Sequence, residues 1–579
     1  MKRRKSRKNY LLPIILITLL ITIGYSAVQT QLSINGNISA SSSIYNISWN
    51  NIQTTEGSIT PTTSPTITNN KTEVNYSLNF TNPGDFYEFS FDSVNNGSND
   101  AMIKSITSII NDQDISNLPS ILEYTATYSD GTEIGLKDYL KKGNDSKETI
   151  TIKVKVKDNA TNTQISNLSQ PLNFKFIIDY VKADSTAKKV VHGVHCTYEG
   201  EMTQGAEYIN GDYRYRYKQE VGDNGWTNIT DDGWGVRMLN TEIDAPVTSP
   251  ICTTINGKPI VSMRKMFANT TPTSIDFSTY VTTNVKDMSY MFSNNETTEL
   301  DLSTFDTANV EDMSYMFESC YADIIDLSSF NTSKVTNMDH MFYDTGAEEL
   351  NISNFNTPKV TNMSHMFELS YVRNLDFTNI DTSKVTNMTF MFANTENITT
   401  LDLSSFNTSS VTNMDSMFYF CNAETINTST FNTSNVTDMR SMFAATNQTT
   451  INLSNFNTSK VTRMDSMFFS THATNINMLS FNTSNVTDMN SMFYNYTGTT
   501  LDISSFNTSK VTNMSSMFYN NTNLTNIYVG SGWSVSNVSN NNSTNMFYND
   551  TKLPHFSSRY VDKTRATTNS WTGYLTLKS

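Results

Sequence analysis

One pentad, Met-x-x-Met-Phe, recurs eleven times in the C-terminal half of this 579-residue chain. Nine of the ten intervals between successive copies are 25 residues long and one is 26. The first methionines of the copies stand at positions 263, 288, 313, 338, 363, 388, 414, 439, 464, 489 and 514. A fixed period of this length indicates a tandem array in which each repeat packs against its neighbours. We therefore expect function from an extended surface rather than from a pocket.

Each repeat contains two hydrophobic periodicities in a fixed order. In one typical unit, Leu501 and Ile503 flank a polar residue, which predicts a short strand. The later apolar residues follow the spacing of one helix face, which predicts one or two helical turns between Val511 and Phe518. Because the apolar side chains of one unit cannot offset the entropy of ordering it, stacking must close the core. The sequence thus predicts a mainly β fold with short helices, containing a leucine-rich-repeat-like β/α solenoid of about eleven 25-residue repeats.

The repeat consensus carries a family resemblance. The run Leu-Asp-Leu-Ser-x-Phe-Asn-Thr-Ser-x-Val-Thr-Asn-Met-x-x-Met-Phe resembles the BspA-type leucine-rich-repeat family of mycoplasmas, lactobacilli, clostridia and other low-GC bacteria. The resemblance covers residues 260–550, about half of the chain. It implies a curved parallel solenoid with a role in adhesion or surface interaction. It implies no catalytic residues, because the family has no common catalytic motif.

Residues 1–27 are typical of an export segment. Six of the 40 basic residues lie among the first ten positions, ahead of an apolar run from Leu11 to Gly24. This run is long for a secretory signal peptide but short for a membrane span of about 20 residues. A cleaved signal peptide and an uncleaved N-terminal membrane anchor both fit the pattern. Either one predicts that the rest of the chain is extracellular or on the cell surface.

Three further regions surround or precede the solenoid, which we place at 259–530. Residues 28–185 alternate polar and apolar side chains between turn signals, which predicts an antiparallel β-sandwich that acts as a spacer. The stretch from Asn82 to Asp100 is similar to TasA/camelysin-type secreted β-sandwiches. Residues 186–258 are interpreted as a small β module that covers the open edge of the solenoid. Residues 531–579, where the repeat decays, are interpreted as a C-terminal cap.

The four cysteines divide into two pairs. Cys196 and Cys252 bracket the small β module, and in an exported protein a disulfide between them would stabilise the fold by about 4 kcal/mol. Two buried thiols are the alternative. Cys320 and Cys421 lie four repeats apart, which is too far for a disulfide, so we interpret them as small packing residues.

Several patterns resemble metal sites without completing one. Met-x-x-Met resembles a site for Cu(I), but these methionines share the apolar face with Val and Phe, which favours core packing. His192, His195 and Cys196 could contribute to a zinc site, but no second ligand pair has suitable spacing nearby. His340 and His365 occupy one slot in adjacent repeats and are expected to stack about 5 Å apart on the surface. The sequence therefore predicts neither a metal nor a cofactor.

A column of Asp and Asn side chains occupies the exposed middle position of the predicted strand. Because stacked carboxylates repel each other, solvent, hydrogen bonds or a cation must relieve the repulsion within the column. A ladder of hydrogen bonds between coils, a line of weak Ca²⁺ sites and a ligand-binding face are the three alternatives. One carboxylate per coil makes a poor calcium site, which requires six to eight oxygens. The column consists of Asp276, Asp301, Asp326, Asn351, Asp376, Asp402, Asn427, Asn452, Asn477 and Asp502.

Composition and motifs favour binding over catalysis. The six histidines are scattered, and the chain contains no Gly-x-Ser-x-Gly or Walker-type loop, so we do not expect an enzyme. The net charge of −15 disfavours nucleic acid and anionic lipid, leaving membrane contact to the N-terminal segment. We predict an adhesin-like bacterial surface or secreted protein that binds protein or glycan partners on host or neighbouring cells. A self-associating structural component of the cell envelope or biofilm matrix is the alternative.

Overall fold

The computed structural model of the chain describes residues 46–578, apart from 69–71, 133, 144–146, 185, 188–189, 191, 218–233, 239–245 and 248. The signal peptide or anchor predicted for residues 1–27 lies outside this range. Among the described residues, no helix has both the length and the apolar character needed to cross a membrane.

Two antiparallel sheets form the N-terminal region, as the alternating pattern predicts. Their strands are β1 Ile47–Gly57, β2 Thr63–Ile67, β3 Glu73–Leu78, β4 Phe86–Asn95, β5 Ala101–Ile110, β6 Gln113–Asp114, β7 Leu122–Tyr128, β8 Tyr139–Leu140, β9 Lys147–Val156 and β10 Leu172–Lys182. One sheet has the order β1-β4-β9-β7 and the other the order β2-β3-β10-β5-β6, with β8 beside β5. A short helix, α1 (Asn162–Ser166), precedes β10. Alternate residues such as Phe89 and Ile152 are buried in a core separate from that of the solenoid.

A six-stranded sheet connects the sandwich to the solenoid. Its strands are β11 Val194–Cys196, β12 Glu207–Asn210, β13 Tyr213–Tyr217, β14 Trp234–Met238, β15 Cys252–Ile255 and β16 Lys258–Ser262, in the order β11-β15-β16-β14-β13-β12. A disulfide joins Cys196 on β11 to Cys252 on β15, with their Cα atoms 5.7 Å apart. Tyr213 packs edge-on against Tyr280 of the first coil, and the two hydroxyl groups are hydrogen-bonded. The sheet therefore lies against the first coil and shares its core.

Short parallel strands mark one side of the coils. They are β17 Glu299–Asp301, β18 Ile324–Asp326, β19 Thr400–Asp402, β20 Thr425–Asn427, β21 Thr450–Asn452, β22 Asn475–Asn477, β23 Thr500–Ile503, β24 Asn526–Val529 and β25 Thr576–Leu577. They pair as β17-β18, β19-β20, β21-β22 and β23-β24-β25, so this column is interrupted between pairs. A second column, formed by the residue before each pentad, is bridged at every step from Ser262–Asp287 to Asp488–Asn513. Backbone pairing between coils is thus continuous along the second column.

The pentads form tight turns, and the prediction of short helices in the repeats is wrong. In one coil, Tyr290 and Asn294 have φ angles of 59° and 52°, in the left-handed region that interrupts an α-helix. The N–H groups of Met288, Tyr290 and Phe292 donate to carbonyl oxygens of the next coil instead of to their own. The mainly β solenoid is confirmed, because these hydrogen bonds between coils replace those of the predicted helices.

A serine-to-glycine substitution distinguishes the turn from a helix. Ser466 has a φ of 59°, so Ser466→Gly should raise the free energy of unfolding by about 1 kcal/mol. In a helix interior the same change would lower it by about 1 kcal/mol. Chemical denaturation measures the difference. Ser515→Gly is the matched control, because Ser515 is outside the left-handed region and glycine should destabilise the protein there. Destabilisation by both substitutions would contradict the turn geometry.

The core runs without a break from the connecting sheet to the C-terminal cap. The two methionines and the phenylalanine of each pentad are buried, together with the valine that precedes them. Cys320 and Cys421 are buried free thiols, as expected for packing residues. At the far end, β25 adds a parallel strand to β24, and Lys578 forms an ion pair with Asp502. The last coil is therefore covered by the C-terminal residues.

Candidate functional site

The predicted Asp/Asn column lies on the outside of the interrupted strand column, and its members share one local structure. In each, Oδ1 accepts a hydrogen bond from the backbone N–H two residues later, at 2.9 to 3.4 Å. This Asx turn holds the chain as it leaves the strand. It occurs at Asp276, Asp301, Asp326, Asn351, Asp376, Asp402, Asn427, Asn452, Asn477 and Asp502.

Hydrogen bonds between coils supplement these turns at two steps. Asn427 donates from Nδ2 to Asp402 Oδ1 at 2.9 Å, and Asn477 donates to Asn452 Oδ1 at 3.1 Å. Hydrogen bonds from Ser404 and Asn427 lower the pKa of Asp402, so this carboxylate is ionised at neutral pH. Across the described residues, no group of three or more His, Cys, Asp or Glu is placed to hold a metal ion. The column therefore provides turn hydrogen bonds along an exposed polar edge.

The histidine and methionine patterns have other roles. Cys196 is in a disulfide and cannot supply the thiolate of the His-x-x-His-Cys pattern. His192 lies between two carboxylates, with Nδ1 3.1 Å from Asp130 and Nε2 2.9 Å from Glu148, and hydrogen bonds to them raise its pKa to about 10. His195 hydrogen-bonds Thr254. The pentad methionines lie in the core, where their thioethers pack against phenylalanine and valine.

The first coils carry a stack of five aromatic rings on their outer surface, which we call the first aromatic stack. Its members occupy the third position of successive pentads: Tyr290, Tyr315, His340, His365 and Phe390. Successive ring centroids lie 4.4, 4.4, 4.2 and 5.0 Å apart, with planes within 14° of parallel. The predicted stacking of His340 on His365 is thus confirmed. Because the ring faces cover one another, the ring edges face solvent.

Charged groups surround the first aromatic stack. The guanidinium of Arg264 lies 4.6 Å from the ring centroid of Tyr290, and Lys265 Nζ lies 5.1 Å from it. Further along, His340 Nδ1 is 2.9 Å from Asp339 Oδ1, at ion-pair distance but without hydrogen-bond geometry. His365 Nδ1 contacts Glu368. The stack therefore has basic groups at one end and acidic groups beside its histidines.

A second aromatic stack lies on the last coils. Its members directly follow the pentad phenylalanine: Phe469, Tyr494, Tyr519 and Tyr548. Their ring centroids lie 4.6, 4.5 and 4.8 Å apart, and the planes are within 19° of parallel. All four rings are partly or largely exposed. Between the two stacks, Phe390 contacts Tyr419 edge-on, and Phe420 is exposed beside it.

The fold does not require aromatic residues in these slots. The slot of the first stack contains Ser416, Ser441, Ser466, Ser491 and Ser516 in later coils, with the same left-handed backbone. A bulky side chain is rare in that conformation and costs about 1 to 3 kcal/mol. Only the stacking of the histidine pair was predicted from the sequence. The other rings could have been found by comparing each slot across all repeats.

These features define a repeat protein with a β-solenoid whose candidate site is an extended outer surface. The family described as Mycoplasma protein of unknown function, DUF285, matches residues 246–351, 345–452 and 444–560. Because the matches together span more than half of the chain, the chain belongs to this family. The repeated matches and the solenoid fit a BspA-type repeat protein. No curated protein and no solved structure matches the chain.

Proposed function

We propose that this protein is an adhesin-like surface protein of the BspA type, which binds macromolecules of host or neighbouring cells over its solenoid. The two partly exposed aromatic stacks carry the proposal. They occupy slots where serine or alanine also fits, so the core does not explain them. Tyrosine and other aromatic side chains are enriched at binding hot spots, because they combine a large apolar area with few rotatable bonds. We propose that the protein binds these macromolecules without catalysing a reaction on them.

Two structural features support an exported, multi-domain arrangement. The Cys196–Cys252 disulfide is typical of proteins that fold in an oxidising compartment. The sandwich has its own buried core, separate from that of the solenoid. We propose that the sandwich is a spacer between the solenoid and an export signal or membrane anchor within residues 1–27. The solenoid would then project away from the cell that makes it.

A bead-binding experiment tests the proposal. Beads carrying the full chain should bind epithelial cells, mucins or matrix proteins, whereas beads carrying residues up to Ser185 should not. The truncated control retains the complete core of the sandwich. Binding by the truncated chain would show that the binding site lies on the sandwich and not on the solenoid. Absence of binding by both, with filaments of the soluble chain under the electron microscope, would favour a self-associating matrix component.

Replacing the first aromatic stack should separate binding from folding. In the triple variant Tyr315→Ser, His340→Ser and His365→Ser, each residue becomes the one found in the same slot of later coils. We expect cell binding to fall about tenfold or more, since several hot-spot side chains are lost, with little change in thermal stability.

The matched control for this variant is Tyr321→Ser with Tyr371→Ser. Both tyrosines are 49% exposed and lie outside the two stacks. The control should retain binding if the first stack forms the contact surface. Equal loss in both variants would show that exposed aromatic area in general, and not the stack, supports binding.

A further inference from the structure

The interrupted strand column opens a cleft between β20 and β21. These strands belong to consecutive coils but to separate two-stranded sheets, so they are not hydrogen-bonded to each other. A cavity of about 430 Å³ lies between them. This volume is within the range of about 300 to 1,000 Å³ that is usual for small-molecule sites. The cleft differs from the flat outer surface of the two aromatic stacks.

The cleft has polar walls and an apolar floor. Threonine, serine and asparagine side chains from both coils line the walls, and Glu424 is the one ionisable residue among the lining residues. The buried side chains of Ile426, Phe443 and Ile451 supply apolar surface beneath them. Such a site suits a neutral ligand with many hydroxyl groups and an apolar C–H face.

Hydrogen bonds hold the walls in place. Asn455 donates from Nδ2 to the carbonyl oxygens of Thr428 and Phe431 in the preceding coil, at 3.0 and 3.1 Å. Asn427 is held by its bond to Asp402 and accepts hydrogen bonds from the N–H and hydroxyl of Ser429. A ligand would therefore meet polar groups that are already ordered, which reduces the entropic cost of binding.

Gln448 is a buried lining residue whose side-chain carbonyl lacks such a hydrogen bond, and this indicates a ligand. In six other coils the equivalent slot is apolar and buried, with Ala322, Ala347, Val372, Ile398, Ala423 or Ala473. One further coil has the buried Thr297 there, whose hydroxyl donates to the carbonyl oxygen of Pro272 and is therefore satisfied. Gln448 is only 6% exposed, lines the cleft, and its Oε1 has no hydrogen-bond partner. A buried carbonyl without a donor destabilises the fold. Alanine would fit the slot at no such cost, so glutamine here does not serve packing.

We propose that the cleft between β20 and β21 binds a neutral saccharide, with the side-chain amide of Gln448 forming a hydrogen bond with a sugar hydroxyl. The C–H face of the sugar would pack on the apolar floor, and its remaining hydroxyls would bond to the threonine and asparagine side chains. An anionic ligand is disfavoured by Glu424 and by the net charge of −15. The inference deepens the proposed function by naming a ligand class for one part of the solenoid.

The test uses the substitution Gln448→Ala in the full chain. Wild-type and variant proteins are applied to an array of neutral oligosaccharides built on glucose, galactose, mannose and N-acetylglucosamine, and affinities for bound glycans are measured by calorimetry. Loss of one hydrogen bond to a buried group should weaken binding about tenfold or more. Because alanine is common in this slot, thermal stability should be unchanged or higher, so lost binding cannot be attributed to unfolding.

Two further results would overturn the saccharide assignment. Equal glycan affinity of the wild-type protein and Gln448→Ala would show that the contact lies elsewhere. A complete absence of glycan binding by the folded wild-type protein would also overturn the assignment. The substitution Glu424→Gln should not lower the affinity of the cleft for a neutral ligand. Loss of binding in that variant would indicate that the ligand is a cation. Cell binding that survives in Gln448→Ala together with an unchanged glycan affinity would refute the cleft but leave the proposed function intact.

Discussion

Raising the pH from 5 to 8 is expected to destabilise the C-terminal end of the solenoid through the carboxyl group of Asp550. Burial raises the pKa of this group to about 8, against an opposing hydrogen bond from the backbone of Asn521. In the unfolded chain the same carboxyl group has a pKa of about 4. The folded state therefore binds the extra proton between these two values, so stability falls as the pH rises through this window. The loss between pH 5 and pH 8 is roughly 3.5 kcal/mol.

The position of Asp550 explains the size of this effect. The residue is completely buried, and its Oδ1 accepts a hydrogen bond from Asn521 N–H at 2.7 Å. Its Oδ2 has no hydrogen-bond partner. An ionised carboxylate here would place a charge in the core with a single hydrogen bond to stabilise it. The protonated form avoids that charge, and it predominates at acidic pH.

Hydrogen exchange of residues 521–560, corrected for the intrinsic rate at each pH, measures the expected loss. Asp550→Asn should remove the pH dependence, because its amide has the shape of the protonated carboxyl group. Asp402→Asn is the matched control: Asp402 is exposed and its pKa is lowered, so this variant should keep the wild-type pH dependence. A wild-type protein with equal protection at pH 5 and pH 8 would contradict the assignment.

The repeat period made most of the solenoid predictable. A regular 25-residue interval places equivalent residues one above another, so each apolar slot could be assigned to the core without a structure. Val511, Met514, Met517 and Phe518 are all completely or almost completely buried, as predicted. The antiparallel sheets before the solenoid were predictable for a similar reason, because alternation along β4 and β9 marks one buried face.

The backbone of the pentad could not be predicted from the apolar spacing alone. Residues three and four apart share a face in a helix, but two consecutive tight turns also bring them together. Left-handed residues such as Ser466 and Ser470 decide between these structures. Serine is frequent at the slot of Ser466, and asparagine and serine are frequent at the slot of Ser470, which is a turn signal that hydrophobic periodicity does not include. The same local chemistry accounts for the Asx turns of the outer column.

The candidate sites were less predictable because they are departures from the repeat. A consensus describes the core, whereas Gln448 and the rings of the two aromatic stacks differ from what most coils contain in those slots. A column of aromatic residues can be predicted by aligning the repeats. The interruption between β20 and β21 cannot be predicted in this way, since both coils have the same Thr-Ile-Asn strand.

The largest loss of stability is expected from Phe367→Ala in the middle of the solenoid. Phe367 is completely buried, and its ring stacks between those of Phe342 and Phe392 at centroid distances of 5.6 and 5.7 Å. Removing it leaves a cavity shared by three coils, which should lower the free energy of unfolding by about 3 to 5 kcal/mol. Since each coil contacts only its neighbours, hydrogen exchange should increase most in the coils on either side.

The adjacent substitution Met366→Leu is the matched control and separates packing from metal binding. Met366 is equally buried, and leucine conserves its volume, so a cost below about 1.5 kcal/mol is expected if the methionines only fill the core. A Cu(I) site would instead require the thioether, and Met366→Leu would then lower copper affinity measured by competition with a chromogenic chelator. If Phe367→Ala were no more destabilising than Met366→Leu, the continuous column of stacked phenylalanines could not be the structure that holds neighbouring coils together.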